Sequence, residues 1–512
     1  MPAHSSRRVV VILAMALLLG AVGHGSGARA QEVPVSYVEN FFGAVHLGAG
    51  DMHFADDIGV RWSRHGVRWH QHQPVRDSAY DFTTSERLLS AADANEVRVM
   101  PVLGNLPSWA SSRSTTDTSA VSARHYPPSK DAVSAWRDYV EAIVERYPEV
   151  EYFEIWNEPN IDWFFNADTN YAAYVDRVLI PAAKVIHAHG ARVVAPSYTL
   201  EWPMDVWPPD ERPARHQRKA SSAIQDLDRW LSYHDAWRYV DIVSVHYGKG
   251  DVVPKKPHGE SMMPVYEHLY QNWIRPGRIE GVWNTEAGLT ATEAGTAGFV
   301  ALEPWERAPY AQWVPRYTIP VLHWALEHDW TFRDQYKLFW YHIAKRTPGS
   351  EGTLRRTNVL TADADTHRVS QTGRALETIS SLLTSADSLG TFDGTVTVGF
   401  GLHDDTTAAN HFPPVRLPTY AFRVGDRVIV AAWLNRPGIS FASTDQPGIE
   451  VLIRGLRAGA AYRVNTIQYV TGQRSTVGGR VSTSGGTLRM DVPRTEAPIL
   501  YLVLSPQSDR TP

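Results

Sequence analysis

The sequence predicts an α/β protein, a (β/α)8 TIM barrel followed by a C-terminal antiparallel β-sandwich. Eight short apolar runs alternate with helix-like stretches between about residues 40 and 385, which is typical of a barrel of parallel strands. No glycine-rich dinucleotide fingerprint follows the first run, which disfavours the alternative of an open doubly wound sheet. After about Ser385 the alternation gives way to short β-rich runs separated by Gly, Pro and Asp turns.

Length and composition fit a soluble protein with one large and one smaller domain. The chain has 512 residues, of which 43% are hydrophobic, and a net charge of −5. No long basic block is present, which argues against nucleic acid as a partner. Cysteine is absent, so disulfides, a thiolate nucleophile and Cys-ligated zinc are excluded.

Residues 1–30 have the pattern of a signal peptide. Arg7 and Arg8 precede the apolar segment Val9–Val22, and Ala28-Arg29-Ala30 forms a small-x-small cleavage site. We therefore expect a secreted or periplasmic protein, cleaved near Ala30 and with no stable membrane insertion after cleavage. The alternative is an uncleaved membrane anchor.

The predicted catalytic barrel covers residues 31–385. The Lys130–Tyr147 stretch is typical of its helices, because Val133, Trp136, Val140, Ile143 and Val144 recur at helical spacing. The other helix-like stretches are Ser85–Asn95, Tyr171–Gly190 and Pro309–Asp329. The eight predicted strands are Phe41–Leu47, Gly66–His70, Val97–Gly104, Val150–Asn157, Ala191–Ser197, Asp241–Gly248, Gly281–Gly288 and Tyr336–Ile343.

Three long polar connections follow predicted strands, at Glu201–Ser222, Lys249–Met263 and Lys345–His367. We expect them over the carboxyl-terminal mouth of the barrel, where barrel enzymes bind their substrates. They either shape a substrate cleft or are lineage-specific insertions without a role in binding.

Residues 386–512 form the predicted β-sandwich. A structural buttress for the barrel is favoured over sugar binding, since its exposed aromatic residues are few. The predicted strands are Asp426–Asn435, Ile449–Leu456, Ala461–Val470, Thr487–Val492 and Ile499–Ser505.

Two glutamates are candidate catalytic groups because each ends a barrel strand. Glu158 lies in Glu154–Asn160 (EIWNEPN), where Pro159 ends the fourth strand, and Glu286 ends the seventh. Two carboxyl groups on either side of an anomeric carbon are what glycosidic-bond cleavage requires. Their separation would distinguish a retaining from an inverting reaction.

Four segments resemble a known family. Asn157-Glu158-Pro159 and a glutamate ending strand seven are similar to the signature of clan A glycoside hydrolases. Within that clan, the chain is most similar to glycoside hydrolase family 39. The similarity covers about residues 40–385, with a trailing β-sandwich. The segments are Val67–His70, Phe153–Asn160 with Phe164-Phe165, Asp241–Tyr247 and Thr285-Glu286.

The resemblance implies a retaining enzyme with Glu158 as acid/base and Glu286 as nucleophile, acting on a polysaccharide or oligosaccharide without a cofactor. Ala287 stands where members often have Trp. The resemblance further implies that Arg68 lies near Glu286 and keeps it ionised. The other implied contacts are Asn157 with the sugar 2-hydroxyl, His70 and His246 with sugar hydroxyls, and Tyr247 beside Glu286.

Aromatic rings that could stack on a sugar are Trp109, after strand three, and Trp340, in strand eight. Core packing is the alternative for each. No clear cluster of Lys and Arg accompanies the motifs, which disfavours a polyuronide substrate. Arg68, Lys249 and Lys255 nevertheless leave that class open.

Parts of the sequence are compatible with two other functions. His70-Gln71-His72 together with His246 could indicate a metal-dependent hydrolase, but strand four offers Asn-Glu-Pro where such enzymes need further ligands. A non-catalytic carbohydrate-binding barrel is the second alternative, and retention of both carboxylates argues against it. We therefore expect no metal site.

Overall fold

The structure is a computed structural model that describes most of the chain from residue 31 onward. The described ranges are 31–113, 122–167, 169–200, 220–246, 263–287, 310–341, 360–362, 367–400, 402, 415–434, 448–477, 481–493 and 499–507. The predicted signal peptide and most of the three long connections lie outside these ranges.

Eight parallel strands close into a barrel, which confirms the predicted fold class. A short strand, β1 (Glu32–Pro34), precedes them, and β9 pairs with β2 to complete the closure. Each predicted strand overlaps an observed one. The barrel strands are β2 (Phe42–Val45), β3 (Trp62–Arg68), β4 (Arg98–Gly104), β5 (Tyr152–Ile155), β6 (Arg192–Thr199), β7 (Ile242–His246), β8 (Gly281–Ala287) and β9 (Tyr336–Trp340).

Helices cover the outside of the barrel. On α4, Tyr139 is buried and Val133 is only half-buried, so the apolar stripe differs by one residue from the prediction. The predicted Tyr171–Gly190 helix is interrupted by a π-helical turn at Val175–Leu179. The helices are α1 (Val35–Glu39), α2 (Trp69–His72), α3 (Thr83–Asp93), α4 (Val133–Arg146), α5 (Asn170–Tyr174), α6 (Ile180–Ala188), α7 (Ala220–Ser232), α8 (Met263–Leu269), α9 (Trp313–Glu327) and α10 (Gln371–Leu383).

The lower half of the barrel interior is filled by an apolar layer to which each strand contributes one side chain. Gly43 allows Phe339 to enter this layer, since a Cβ at that position would lie 2.4 Å from the Phe339 ring. The layer supports the polar groups above it, as in other filled barrels. Its members are Val45, Trp62, Met100, Tyr152, Val194, Ile242, Trp283 and Phe339.

The C-terminal region is an antiparallel β-sandwich, as predicted. A hairpin of β10 (Leu360–Ala362) and β11 (His367–Val369) precedes α10. The larger sheet contains β1, β12 (Ser388–Thr391), β15 (Thr419–Val424), β16 (Arg427–Trp433), β18 (Ala461–Ile467), β19 (Arg474–Thr476), β20 (Val481–Ser482) and β22 (Ile499–Pro506). The smaller contains β13 (Thr395–Phe400), β14 (Val415–Arg416), β17 (Ile449–Arg454) and β21 (Thr487–Val492).

The larger sheet joins the sandwich to the barrel. Along β16, Val428 and Val430 face the sandwich core, whereas Ile429 and Ala431 face the core shared with the barrel helices. Arg316 of the barrel helix α9 donates to a backbone carbonyl of the sandwich at 2.8 Å. Moreover, β1 pairs with β12, so residues 32–34, which the sequence placed in the barrel, extend the sandwich sheet. These contacts suit a buttress.

Among the helices of the described ranges, none combines the length and apolar character needed to cross a membrane.

Candidate active site

The floor of the site is Arg64, a buried arginine on β3. Its Nε donates to Glu154, its Nη1 lies 2.5 Å from Glu286 Oε1, and its Nη2 lies 2.8 Å from Asn157 Oδ1. Thr285 donates to the other oxygen of Glu154 at 2.7 Å. Burial alone would lower the pKa of Arg64, but the charges of Glu154 and Glu286 raise it. Arg64 is therefore a fixed cation that stabilises an ionised Glu286.

Glu286 reaches the site through an irregularity in β8. Val245 pairs with Asn284, but the next residue of β7, His246, pairs with Glu286, so that Thr285 is skipped. Consecutive strand residues ordinarily face opposite sides of a sheet. The extra residue lets Thr285 and Glu286 both project into the barrel, as a β-bulge does.

Glu158 follows β5 in a distorted stretch of backbone. Trp156 and Glu158 have φ angles of 71° and 46°, a region that costs non-glycine residues about 1–3 kcal/mol each. His46 and Asn105, which directly follow β2 and β4, have φ angles of 64° and 51°. All four residues line one cavity, and strain of this kind concentrates at functional sites.

The environment of Glu158 favours its protonated form. The side chain is almost fully buried, and burial followed by the charge of Glu286 raises its pKa well above the ordinary value. The Thr199 hydroxyl and Arg64 oppose this shift without cancelling it. Glu158 and Glu286 therefore differ in charge although they are neighbours, which is the division that acid and nucleophile need.

His246 joins the two glutamates. Its Nδ1 lies 2.9 Å from Glu158 Oε1 and 3.8 Å from Glu286 Oε2. Burial and then Arg64 lower the pKa of His246 well below its usual value, so the imidazole is neutral. A carboxylate oxygen of Glu158 lies within 4.8 Å of one from Glu286.

The two glutamates open into a cavity of about 310 Å³ at the carboxyl ends of the strands. Its described lining combines charged and polar side chains with several aromatic faces. The lining residues are His46, Arg64, Gly66, Arg68, His70, Val102, Gly104, Asn105, Arg124, His125, Trp156, Asn157, Glu158, Phe164, Glu286 and Tyr341.

The fold is shared with solved glycoside hydrolases. A monomeric β-xylosidase from Caulobacter crescentus has a TM-score of 0.54 and 16% identity, over 94% of this chain and 98% of that one. A glycoside hydrolase family 39 enzyme from Xanthomonas axonopodis pv. citri has a TM-score of 0.52 and 15% identity, over 93% and 95%. A glycoside hydrolase family 30 subfamily 8 xylanase from Clostridium acetobutylicum has a TM-score of 0.51 and 12% identity, over 94% and 98%.

No protein-family model matches the chain, and no curated protein matches it in sequence. The structural similarity therefore shows the barrel fold with its trailing sandwich. Activity has to be argued from the residues of the site.

The arginine that pairs with Glu286 is Arg64 and not Arg68, which corrects the expectation that Arg68 keeps Glu286 ionised. Arg64, Gly66 and Arg68 share the inward face of β3, but Arg64 lies deeper in the barrel, where it meets Glu286. Arg68 lies at the end of the strand, on the cavity wall. Arg68 makes no ion pair with either glutamate of the site in the part of the chain that the structure describes.

Asn157 and His70 line the cavity as the prediction requires. Asn157 Oδ1 accepts from Arg64, so its Nδ2 group remains available to a sugar hydroxyl. His70 Nδ1 lies 3.0 Å from the carbonyl oxygen of Asn105, and its Nε2 faces Arg124 at 3.3 Å.

His246 does not contact sugar hydroxyls directly, contrary to the expectation. It is fully buried and faces the two glutamates, so its contact with substrate is indirect. Tyr247 lies outside the described residues. A tyrosine that the sequence did not single out, Tyr341 after β9, lines the cavity, and burial followed by the charges of Glu286 and Glu158 raises its pKa.

The predicted aromatic platforms are both displaced from the cavity. Trp340 is 2% exposed and packs edge-on against Tyr317 of α9, outside the barrel wall. Trp109 donates to the Gln73 carbonyl oxygen and is covered by Arg76. Apart from histidines, the described aromatic residues that line the cavity are instead Trp156, Phe164 and Tyr341.

The histidine pair does not form a metal site. Because α2 begins at Trp69, His70 and His72 lie on a helical turn and not on a strand. Both ring nitrogens of His72 are occupied, by Tyr139 at 3.1 Å and Ser85 at 2.8 Å. Glu158, His246 and Glu286 lie close enough to hold an ion, but Arg64 already places a positive charge against Glu286.

Proposed function

We propose that the protein is a retaining glycoside hydrolase that cleaves O-glycosidic bonds of a polysaccharide or oligosaccharide by double displacement. One observation carries the proposal: two buried carboxyl groups have oxygens within 4.8 Å of each other, and one of them favours its neutral, protonated form whereas the other is paired with a buried arginine. In retaining enzymes the two groups are about 5–5.5 Å apart, whereas inverting enzymes leave about 6.5–9.5 Å for a water molecule.

In the first step Glu286 attacks the anomeric carbon while Glu158 donates its proton to the glycosidic oxygen. The bond between that carbon and oxygen breaks, and the leaving sugar departs as an alcohol. Arg64 keeps Glu286 ionised before attack, and Asn157, held by Arg64, offers its amide to a neighbouring hydroxyl. General acid assistance contributes about 10²–10⁴-fold to the rate.

In the second step the same groups exchange roles. Esterification removes the negative charge of Glu286, which is one of the two main causes of the raised pKa of Glu158. Glu158 then ionises more readily and takes a proton from water. The water oxygen attacks the anomeric carbon and releases Glu286 as a carboxylate, with the original configuration restored.

Two measurements test this proposal: the anomeric configuration of the first product, and the activities of variants at the two glutamates. A panel of aryl glycosides and polysaccharides first identifies a substrate, and proton NMR then follows the anomer released initially. We expect retention, with turnover abolished in Glu286→Gln on every substrate. Glu158→Gln should keep activity on aryl glycosides with good leaving groups, since these need little protonation.

The matched control is Glu149→Gln, an exposed glutamate at the opposite end of the barrel, which should behave as the wild type. An inverted product would contradict the double displacement. Equal losses in Glu158→Gln on good and poor leaving groups would contradict its role as acid. Sugar binding without turnover on any substrate would instead indicate a carbohydrate-binding barrel.

We also propose that the enzyme is exported to the periplasm or the medium, on the strength of the Arg7-Arg8, apolar and Ala-Arg-Ala pattern of residues 1–30. Peptide mass spectrometry of protein from fractionated cells should find a mature amino terminus near Gln31. Retention of residues 1–30 in a membrane fraction would contradict cleavage.

A further inference from the structure

The cavity wall opposite Glu286 is positively charged. Its charges belong to Arg68, which ends β3, and Arg124, which lies between β4 and α4. In a closed barrel of eight strands β4 stands opposite β8, the strand that carries Glu286. Of the described residues that line the cavity, the acidic ones are Glu158 and Glu286.

Arg68 is a half-buried cation without an acidic partner. Within the described ranges no side chain forms an ion pair or a hydrogen bond with its guanidinium. Burial lowers its pKa, and the neighbouring charge of Arg124 lowers it further. A guanidinium remains charged in proteins, so Arg68 keeps a charge that no acidic side chain of the described ranges compensates and that an incoming anion would neutralise.

Arg124 is directed toward the same region by His70. Because His70 Nδ1 faces the Asn105 carbonyl, it carries the hydrogen, and Nε2 is free to accept from Arg124 Nη1 at 3.3 Å. Burial, and then Arg124 and Arg68, lower the pKa of His70 against the effect of the carbonyl. A neutral His70 therefore holds Arg124 without adding charge.

The charges of the site do not balance. Among the described residues of the site, Arg64, Arg68 and Arg124 supply three positive charges against the two carboxylates of Glu154 and Glu286, since the raised pKa of Glu158 keeps that group neutral. One positive charge is therefore in excess, on the wall that carries Arg68 and Arg124, although the whole chain has a net charge of −5. An excess of cations in a concave site attracts anionic ligands.

We infer, given the proposed hydrolase function, that the substrate is an anionic glycan. The sugar beside Arg68 and Arg124 carries either the carboxylate of a uronic acid or a sulfate ester. Guanidinium groups bind both through paired hydrogen bonds. No cluster of Lys and Arg is visible in the sequence, because Arg124 lies 56 positions from Arg68 along the chain and comes close to it only in the folded protein.

Matched substrates test the inference. The kinetic arm compares 4-nitrophenyl hexuronides with the corresponding hexosides, and polysaccharides before and after carboxyl reduction or desulfation. The reduction and desulfation arms distinguish a carboxylate from a sulfate. The binding arm uses calorimetry on Glu286→Gln with free hexuronic acids, hexose sulfates and neutral hexoses.

We expect the anionic member of a pair to be preferred, with a preference that weakens as salt is added. Arg68→Gln should reduce the anionic-to-neutral ratio of kcat/KM by roughly 10- to 100-fold, since hydrogen bonds to charged groups are the strong ones. Arg68→Lys, which keeps the charge but loses the planar fork, should reduce it less. Arg137→Gln, an exposed arginine on α4, should leave the ratio unchanged.

A wild type that prefers neutral members, or an unchanged ratio in both Arg68 variants, would overturn the inference while leaving the hydrolase proposal intact. Conversely, tight binding of anionic sugars that Arg68→Gln weakens, with no turnover of any glycoside, would support the anionic site and overturn the hydrolase proposal.

Discussion

Replacement of Arg64 by methionine should change how the activity depends on pH. The substitution removes a cation 2.5 Å from Glu286 and also in contact with buried Glu154. Methionine has a similar length and no charge. The two carboxylates would then share a buried site without a counter-charge, and Glu286 would hold a proton more readily.

The expected size follows from the contact. An opposite charge at this range shifts a carboxyl pKa by about 1–3 units, and each unit corresponds to about 1.4 kcal/mol. The acid limb of kcat/KM should therefore move up by about 1–3 pH units in Arg64→Met. At a pH below the acid limbs of both the wild type and Arg64→Met, kcat/KM of the variant should be about 10- to 1000-fold lower than that of the wild type. This difference should shrink as the pH rises.

The shift of the acid limb is measured by following kcat/KM against pH on an aryl glycoside with a good leaving group. Such a substrate needs little protonation, so deprotonation of Glu158 has little effect on the profile. Circular dichroism checks folding, as an unpaired buried carboxylate can cost about 3–5 kcal/mol of stability. Arg64→Lys should give a smaller shift, since one ammonium cannot reproduce three directed contacts. The same fractional loss at every pH, in folded protein, would refute the assigned role.

Two further predictions concern other buried charges. Asp334 contacts Lys337, Arg98 and Arg333 at the amino end of the barrel, and Lys337 is buried with its pKa lowered to about 7, mainly by burial. Asp334→Asn should cost about 3–5 kcal/mol in urea unfolding at pH 7, whereas Lys337→Met should cost far less, because it leaves no charge unpaired. The pKa of Asp334 is lowered in the folded protein, so its carboxylate contributes fully to the free energy of unfolding above the unfolded pKa of about 3.9. As the pH falls below that value, the difference in unfolding free energy between the wild type and Asp334→Asn should shrink. A difference that is independent of pH would argue against an electrostatic origin. For catalysis, kcat/KM should fall on the alkaline side, well above the ordinary glutamate pKa of about 4.3, as Glu158 loses its proton, and this limb should vanish in Glu158→Gln on activated substrates; a limb that persists would belong to another group.

The sequence was sufficient to predict the barrel and to locate two glutamates near the ends of two barrel strands, because both depend on local patterns. Strand and helix periodicities differ, and Glu158 before Pro159 and Glu286 two residues before Gly288 both fall near the ends of predicted strands. The inward direction of Glu286, by contrast, depends on the irregularity in β8, which alternation does not predict. Trp340 could also have been placed correctly. Its neighbour Phe339 fills the barrel interior, and alternation along β9 then directs Trp340 outward.

Other parts of the site depend on information that local patterns do not contain. Arg64 and Arg68 have the same parity on β3, so alternation gives their direction but not their depth. His70 was predicted to be the last residue of its strand, but β3 ends at Arg68 and a helical turn begins at Trp69, which cancels the alternation. Arg124 and His125 come from a connection without periodicity and meet Arg68 only once the barrel closes.

Trapping of the covalent intermediate tests most directly whether Glu286 is the nucleophile. A 2-deoxy-2-fluoro glycoside of the preferred sugar, with an activated leaving group, slows the second step more than the loss of that group. Intact mass spectrometry should show one added glycosyl unit, and peptide mapping should place it on Glu286, with no labelling of Glu286→Gln. A label on any other residue, or turnover with inversion and no label, would contradict the account.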